Sequence, residues 1–233
     1  AHYFGIGLVE PVDGFSVANP PSNEKLLDAL ARDFIDHRYD IRHLERVVLR
    51  SRTYQLSAVP NATNAGDRKN FSHARARRLM AEVVVDVLNS ALGVTEDFGP
   101  EFPKRIRAVE IASNRVSNPH LAHIFRIFGR PARTASCDCE RSQQPAVPQT
   151  LFLMTDQKLL DKIGSGRLQK LLASGKSNDE VVAELFLATL SRFPSAKEKT
   201  EALRHLADTK NRRAAFVDIV WALLNTREFI LNH

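Results

Sequence analysis

Cysteine is nearly missing from this chain, and the signatures that would name a reaction outright are missing altogether. Cys137 and Cys139 are the two cysteines in 233 residues, too few to lay out a disulfide framework or to define a redox compartment. There is no Gly-rich phosphate loop, no nucleophile elbow and no HExxH zinc motif. No strong catalytic signature exists, and whether the chain is an enzyme stays open at this level. No apolar run approaches the roughly 20 residues needed to cross a bilayer. Repeats of solenoid period and low-complexity tracts are also lacking. No signal peptide heads the chain, which opens at Ala1-His2-Tyr3-Phe4-Gly5 without a methionine. The expectation is a fragment of something longer, so the missing leader says nothing about where the parent protein resides.

What is present suits a folded domain. With 43% hydrophobic and 26% charged residues, the chain has enough apolar material to bury a real core. The net charge of +6 is dispersed among 27 acidic residues. Its densest cluster, Arg75, Arg77 and Arg78 with Arg68 and Lys69 upstream, reads first as a solvated helix face. No nucleic-acid module accompanies it, which disfavours nucleic acid as a partner.

The pattern along the chain is helical. Residues 1–21, punctuated by Gly5, Gly7, Pro11, Gly14, Pro20 and Pro21, form an ordered non-helical arm expected to be pinned by Tyr3, Phe4 and Phe15. Ser22 or Asn23 caps a helix carrying Leu26, Leu27, Leu30 and Phe34. Asp40 caps a second, carrying Ile41, Leu44, Val47 and Val48. His37 and His43 flank that junction and read as capping or solvated histidines. A polar loop at 60–70 leads to a stripe of Leu79, Val83, Val87 and Leu88, with Gly93 placed to end the helix. Residues 107–112 are expected as a short strand. Asn118-Pro119 starts a short helix that Gly129 ends. Leu159, Leu160 and Ile163, then Leu168, Leu171 and Leu172, continue the helical spacing. Capping boxes begin at Ser177 and Ser195, and a last helix bears Phe216, Val220, Leu223 and Leu224. The fold class is therefore mostly α: one irregular multi-helix domain over 1–233 with a long structured loop segment in the middle.

That middle segment, 128–163, holds both cysteines and three prolines that keep most of it out of regular helix. Cys137 and Cys139 have three readings: two thiolate ligands of a metal, with His120 and His123 nearest at i, i+3 spacing; a small strained disulfide; or two packed thiols. Arg130, Arg133, Glu140 and Arg141 stand beside them as candidate binding residues. A carboxylate among guanidiniums suits a substrate anion or an oriented general acid, and equally a buried ion pair tying a loop to the core.

Several segments also carry a family resemblance: His2-Tyr3-Phe4-Gly5, Leu8-Val9-Glu10-Pro11, Asn19-Pro20-Pro21-Ser22-Asn23 and Ser51-Arg52-Thr53-Tyr54-Gln55-Leu56-Ser57. It continues through Arg78-Leu79-Met80-Ala81-Glu82, Phe128-Gly129-Arg130-Pro131, Cys137-Asp138-Cys139-Glu140-Arg141 and Trp221-Ala222-Leu223-Leu224-Asn225. Together they resemble the C-terminal domain of large planctomycete proteins, a family of unknown function. Such domains follow a cytochrome-c-like module and a second planctomycete-specific domain. The resemblance implies export to an extracytoplasmic compartment, neighbouring domains of the parent chain as partners, and an association with the use of sulfated polysaccharide. The chain departs from the family pattern at Val12-Asp13, where two aspartates are usual, and at Thr155, where asparagine is frequent. The CxxCH haem motif is absent, so no c-type haem is expected here. Three functions follow in order: a helical accessory or interaction domain of an exported, cytochrome-linked protein; an enzyme acting on acidic or sulfated extracellular glycans; and a nucleic-acid binder.

Overall fold

A computed structural model describes residues 1–111, 116–130 and 147–232. The chain divides into two compact units, one spanning residues 1–77 and the other 78–232.

In the first unit, the N-terminal arm is held by aromatic edges. Tyr3 and Phe4 both meet Tyr54 edge to face, and Phe4 also meets Phe71. The Tyr3 hydroxyl donates to Glu45 at 2.8 Å. Phe15, expected to help pin the arm, is 68% exposed instead. The arm leads to α1 (Glu24–Asp36), where Asn23 is the cap and accepts from the Leu26 N–H. Ser22 takes a different task, donating its hydroxyl to the Leu8 carbonyl. Asp40 caps α2 (Ile41–Arg50) by accepting from the N–H groups of Arg42 and His43. Neither helix has a buried side chain. The only strands among the described residues are two residues long, Arg77–Arg78 and Leu231–Asn232.

The second unit holds the core. α3 (Ala81–Leu92) buries Ala81, Val84, Val85, Leu88, Ala91 and Leu92. That is the i, i+3, i+4, i+7 face of a helix, rotated by about one residue from the expected stripe. Val83 and Val87 are only half-buried. The reason is that a run of apolar residues offers several possible stripes, and packing selects one. Gly93 ends α3 in the left-handed region at φ +65°. The expected strand at 107–112 is not one. Residues Ala108–Glu110 form a 3₁₀ turn, because Asp86 accepts from the N–H groups of Ala108 and Val109 and leaves them nothing to offer a sheet.

Asn118 caps α4 (Pro119–Ile127) with proline in the first turn. Then follow α5 (Val147–Thr155), α6 (Gln157–Ile163) and α7 (Gly166–Ala173). Residues 147–155 are thus helical although the segment is proline-rich. Pro148 sits in the first turn, where its missing N–H removes no intrahelical bond. Gly166, at φ +53°, allows α7 to begin against the end of α3. A Cβ there would lie 2.4 Å from the Leu92 carbonyl oxygen. Arg167 uses the closeness, donating to the carbonyls of Ala91 and Ser90 at 2.8 and 3.0 Å, at a helix end where carbonyls lack their full intrahelical partners.

α8 (Asn178–Leu190) and α9 (Ala196–Asp208) both open with complete capping boxes, Ser177 with Glu180 and Ser195 with Glu198. α10 (Arg212–Leu224) is central, packing on α6, α7, α8 and α9. It buries Ala215, Phe216, Ile219, Val220, Leu223 and Leu224, two adjoining stripes that suit a helix covered on most sides. α11 (Arg227–Ile230) closes the unit with buried Phe229. Phe216 has no exposed surface, so Phe216→Ala should cost about 3–5 kcal/mol, read as a lower midpoint in urea unfolding with an unchanged slope.

Arg192 joins the α8–α9 connection to α11, bonding both oxygens of Glu198 and both of Glu228 at 2.7–2.9 Å. The Arg192 guanidinium pushes the Glu198 carboxyl down from 4.5 to about 2. A carboxyl whose folded value is depressed stabilises the fold fully above its unfolded value, and that contribution is lost as pH falls through the folded value. The wild type should therefore lose stability between about pH 4.5 and 2 more steeply than Glu198→Gln, measured by urea unfolding at stepped pH.

Candidate functional site

The central segment is anchored at both of its described ends by buried polar groups. Glu82 stands in the first turn of α3, where the helix dipole favours a negative charge. Arg130 follows α4 after Gly129, which turns the chain at φ +84°. The Arg130 N–H then donates to the Phe125 carbonyl at 2.8 Å. Its guanidinium reaches Glu82, Nε to Oε1, at 3.2 Å, with the two side chains only 6% and 9% exposed. Another guanidinium nitrogen donates to the Ile111 carbonyl at 2.8 Å, and the group lies over the Phe125 ring at 4.6 Å. On the far side of the segment, buried Gln149 donates from Nε2 to the Ile127 carbonyl at 2.9 Å. The end of α4 thus receives residue 130 directly and residue 149 through a side-chain clamp.

Of the candidate binding residues, Arg130 is therefore committed to Glu82, a carbonyl and an aromatic face. Arg133, Cys137, Cys139, Glu140 and Arg141 lie outside the described residues. The two histidines considered beside the cysteines part company. His123 is exposed, whereas His120 Nε2 lies 3.0 Å from both carboxylate oxygens of Asp156. Asp156 also caps α6 by accepting from the Leu159 N–H, so one carboxylate starts a helix and orients an imidazole.

This His120–Asp156 pair borders a small cleft between α3, α4, α5 and α6, lined also by Glu96, Phe152 and Lys162. Lys162 pairs with Glu96. The cleft has a free volume of about 20 Å³, room for about one water molecule. An imidazole held by a carboxylate is the arrangement used to move protons. Among the described residues the lining has no serine, threonine or cysteine. It is a mostly apolar crevice with His120, Glu96 and Lys162 among its polar members, and its free space is that of a solvent molecule.

The basic cluster is also partly engaged. Arg75 donates to the Arg68 carbonyl and Arg77 to that of His2. Asp67, amid these cations, accepts from Ser72 and from the N–H groups of Lys69 and Asn70. Those hydrogen bonds hold its carboxyl well below the ordinary carboxylate range.

A family model described as "PSD1: Protein of unknown function (DUF1553)" matches residues 1–206. The chain belongs to this family. The matched region includes both described anchors of the central segment, Glu82–Arg130 and Gln149, and it ends before the motif at residues 221–225. No curated protein and no solved structure matches the chain. Membership in the PSD1 family therefore defines kinship without a reaction. No helix among the described residues is long and apolar enough to cross a membrane.

Sequence reasoning singled out Arg130 and His120 but not their partners. Glu82 carried a signal, being a lone carboxylate in an otherwise apolar helix start. Asp156 carried one as a helix cap. Nothing in the sequence linked Asp156 to His120, 36 residues away. Removing one partner of a buried ion pair leaves the other charge without compensation. Glu82→Gln should therefore destabilise the protein by about 3–5 kcal/mol, measured by urea unfolding at neutral pH.

Proposed function

We propose that this chain is a helical accessory domain that acts by docking to another protein, as part of an exported, cytochrome-linked assembly. The observation that carries this reading is the α1–α2 hairpin. No side chain of either helix is buried, yet the pair presents Leu26, Ile35, Tyr39, Ile41, Val47 and Leu49 at 38–65% exposure. Single exposed apolar residues are ordinary, but their concentration on one hairpin marks an interaction surface.

The partner proposed is a neighbouring domain of the parent polypeptide, the cytochrome-c-like module that the family resemblance implies. Extracytoplasmic location and an association with polysaccharide use rest on the same resemblance. Haem, in this reading, belongs to the neighbour, since this chain has no CxxCH motif.

A second reading draws on the clamped ends of residues 131–146. Arg130 and Gln149 are fixed on either side of a segment that carries Arg133, Asp138, Glu140 and Arg141. There Glu140 would serve as general acid, with Arg133 and Arg141 holding the sulfate or carboxylate groups of an extracellular glycan. Nucleic-acid binding stands third, its proposed cations Arg75 and Arg77 already bonded to backbone carbonyls.

The deciding experiment mixes the 233-residue chain with the separately expressed upstream module and measures association by calorimetry. Sulfated glycans are assayed in parallel. Stoichiometric association that is lost in the Ile35→Asp, Val47→Asp double variant, without glycan turnover, is the expected result. Absence of association defeats the docking reading. Glycan cleavage abolished by Glu140→Gln would put the second reading in its place.

A further inference from the structure

The turn between α1 and α2, on the hairpin proposed above to dock a partner, brings two histidines and a carboxylate together. Asp33 lies in the last turn of α1, His37 caps that helix, and His43 sits in the first turn of α2. His43 Nε2 is 2.9 Å from Asp33 Oδ2, and His37 Nδ1 is 2.8 Å from the Asp33 backbone carbonyl and 3.3 Å from Oδ1 of its carboxylate, so ligation by Nδ1 replaces the bond to the carbonyl. The two imidazoles stack with ring centres 3.5 Å apart and planes 11° from parallel. One ligand atom from each of the three residues falls within 4.8 Å of the other two.

The backbone adopts an unusual course to achieve this. Between the helices, Arg38 and Tyr39 occupy the left-handed region in succession, at φ +54° and +62°. Side chains with a Cβ rarely adopt that conformation once, and here neither position is glycine. The reversal is held by the N–H of Arg38 on the Ile35 carbonyl and that of Tyr39 on the Phe34 carbonyl, at 2.9 and 2.8 Å. Backbone strain maintained by its surroundings tends to mark places where the resulting geometry has a use.

We propose that Asp33, His37 and His43 form a binding site for a divalent transition-metal ion of the zinc class. Two imidazoles and one carboxylate are a donor set for zinc, nickel, cobalt or copper, whereas calcium and magnesium take oxygen ligands. Bonds of about 2.0–2.1 Å from zinc to nitrogen and oxygen place tetrahedral neighbours about 3.3–3.4 Å apart. The 3.3 Å separation of His37 and Asp33 matches that edge, and the 2.9 Å separation of His43 and Asp33 widens by a few tenths of an ångström on binding. Because each imidazole lone pair lies in its ring plane, binding opens the parallel stack. The side chains are 24–47% exposed, so water completes the coordination, as in sites with three protein ligands.

The test uses the full 233-residue chain carrying Cys137→Ser and Cys139→Ser, which keeps thiolates out of the readout. Zn²⁺ is titrated by calorimetry and Co²⁺ by visible absorption. The expected result is one equivalent of either ion, with cobalt bands of nitrogen and oxygen ligation. Binding should weaken at least about tenfold in Asp33→Asn and in His43→Ala, the range seen even for groups that only support a ligand. Far-UV circular dichroism establishes that each variant is folded. His37→Ala, at an exposed cap, provides an independent variant should His43→Ala fail to fold. Absence of stoichiometric binding in the cysteine-free chain overturns the proposal, and so does binding of undiminished affinity in folded Asp33→Asn and His37→Ala.

Discussion

A guanidinium and a carboxylate removed from water together are the constraint on which the middle of this protein depends. Neither Glu82 nor Arg130 is tolerable alone in an apolar setting, because desolvating a single charge costs more than local packing returns. Together, with the Ile111 carbonyl and the Phe125 face, they join the start of α3 to the residue that follows α4. Gln149 repeats the logic with a neutral amide, meeting the Ile127 carbonyl from the other side. The long central segment thus departs from and returns to one helix end.

Around that anchor the second unit is built as a helical core with polar seams. α10 contributes two adjoining apolar stripes, and α3 contributes one face against α4, α7 and α8. At the seams single residues serve several elements: Asp156 caps α6 while orienting His120, Arg167 covers the carbonyls ending α3, and Arg192 holds two carboxylates. Buried polar groups that are mutually satisfied specify one packing over its alternatives.

The first unit is organised differently. Val9 is its one fully buried large apolar residue, and its order comes from aromatic edges, caps and turn hydrogen bonds. Apolar side chains that would be core elsewhere remain outside on α1 and α2. The PSD1 family to which the chain belongs is described as proteins of unknown function. The proposed metal centre would stiffen the hairpin that presents this surface, tying the end of one helix to the start of the next.

Features set by near neighbours in the chain were legible from the sequence. Asn23, Asp40, Asn118, Ser177 and Ser195 cap helices because a short polar side chain reaches an N–H two or three residues on, whatever the rest of the chain does. Gly93 ends its helix for an equally local reason, the freedom of a residue without Cβ. The mostly helical class followed from the same signals. Features that depend on distant partners were not legible. The stripe of α3 runs through Val84 and Val85 rather than Val83 and Val87, since only its neighbours decide which apolar face is covered. Residues 108–110 turn instead of extending because Asp86 takes their N–H groups. Asp156 meets His120, Glu82 meets Arg130, and His43 meets His37 through a left-handed turn that no propensity favours. Chain chemistry alone determined the helix ends that an adjacent cap or glycine sets; folding in three dimensions decided which charges are buried together, because desolvation and Coulomb energies depend on spatial distance and not on separation along the chain.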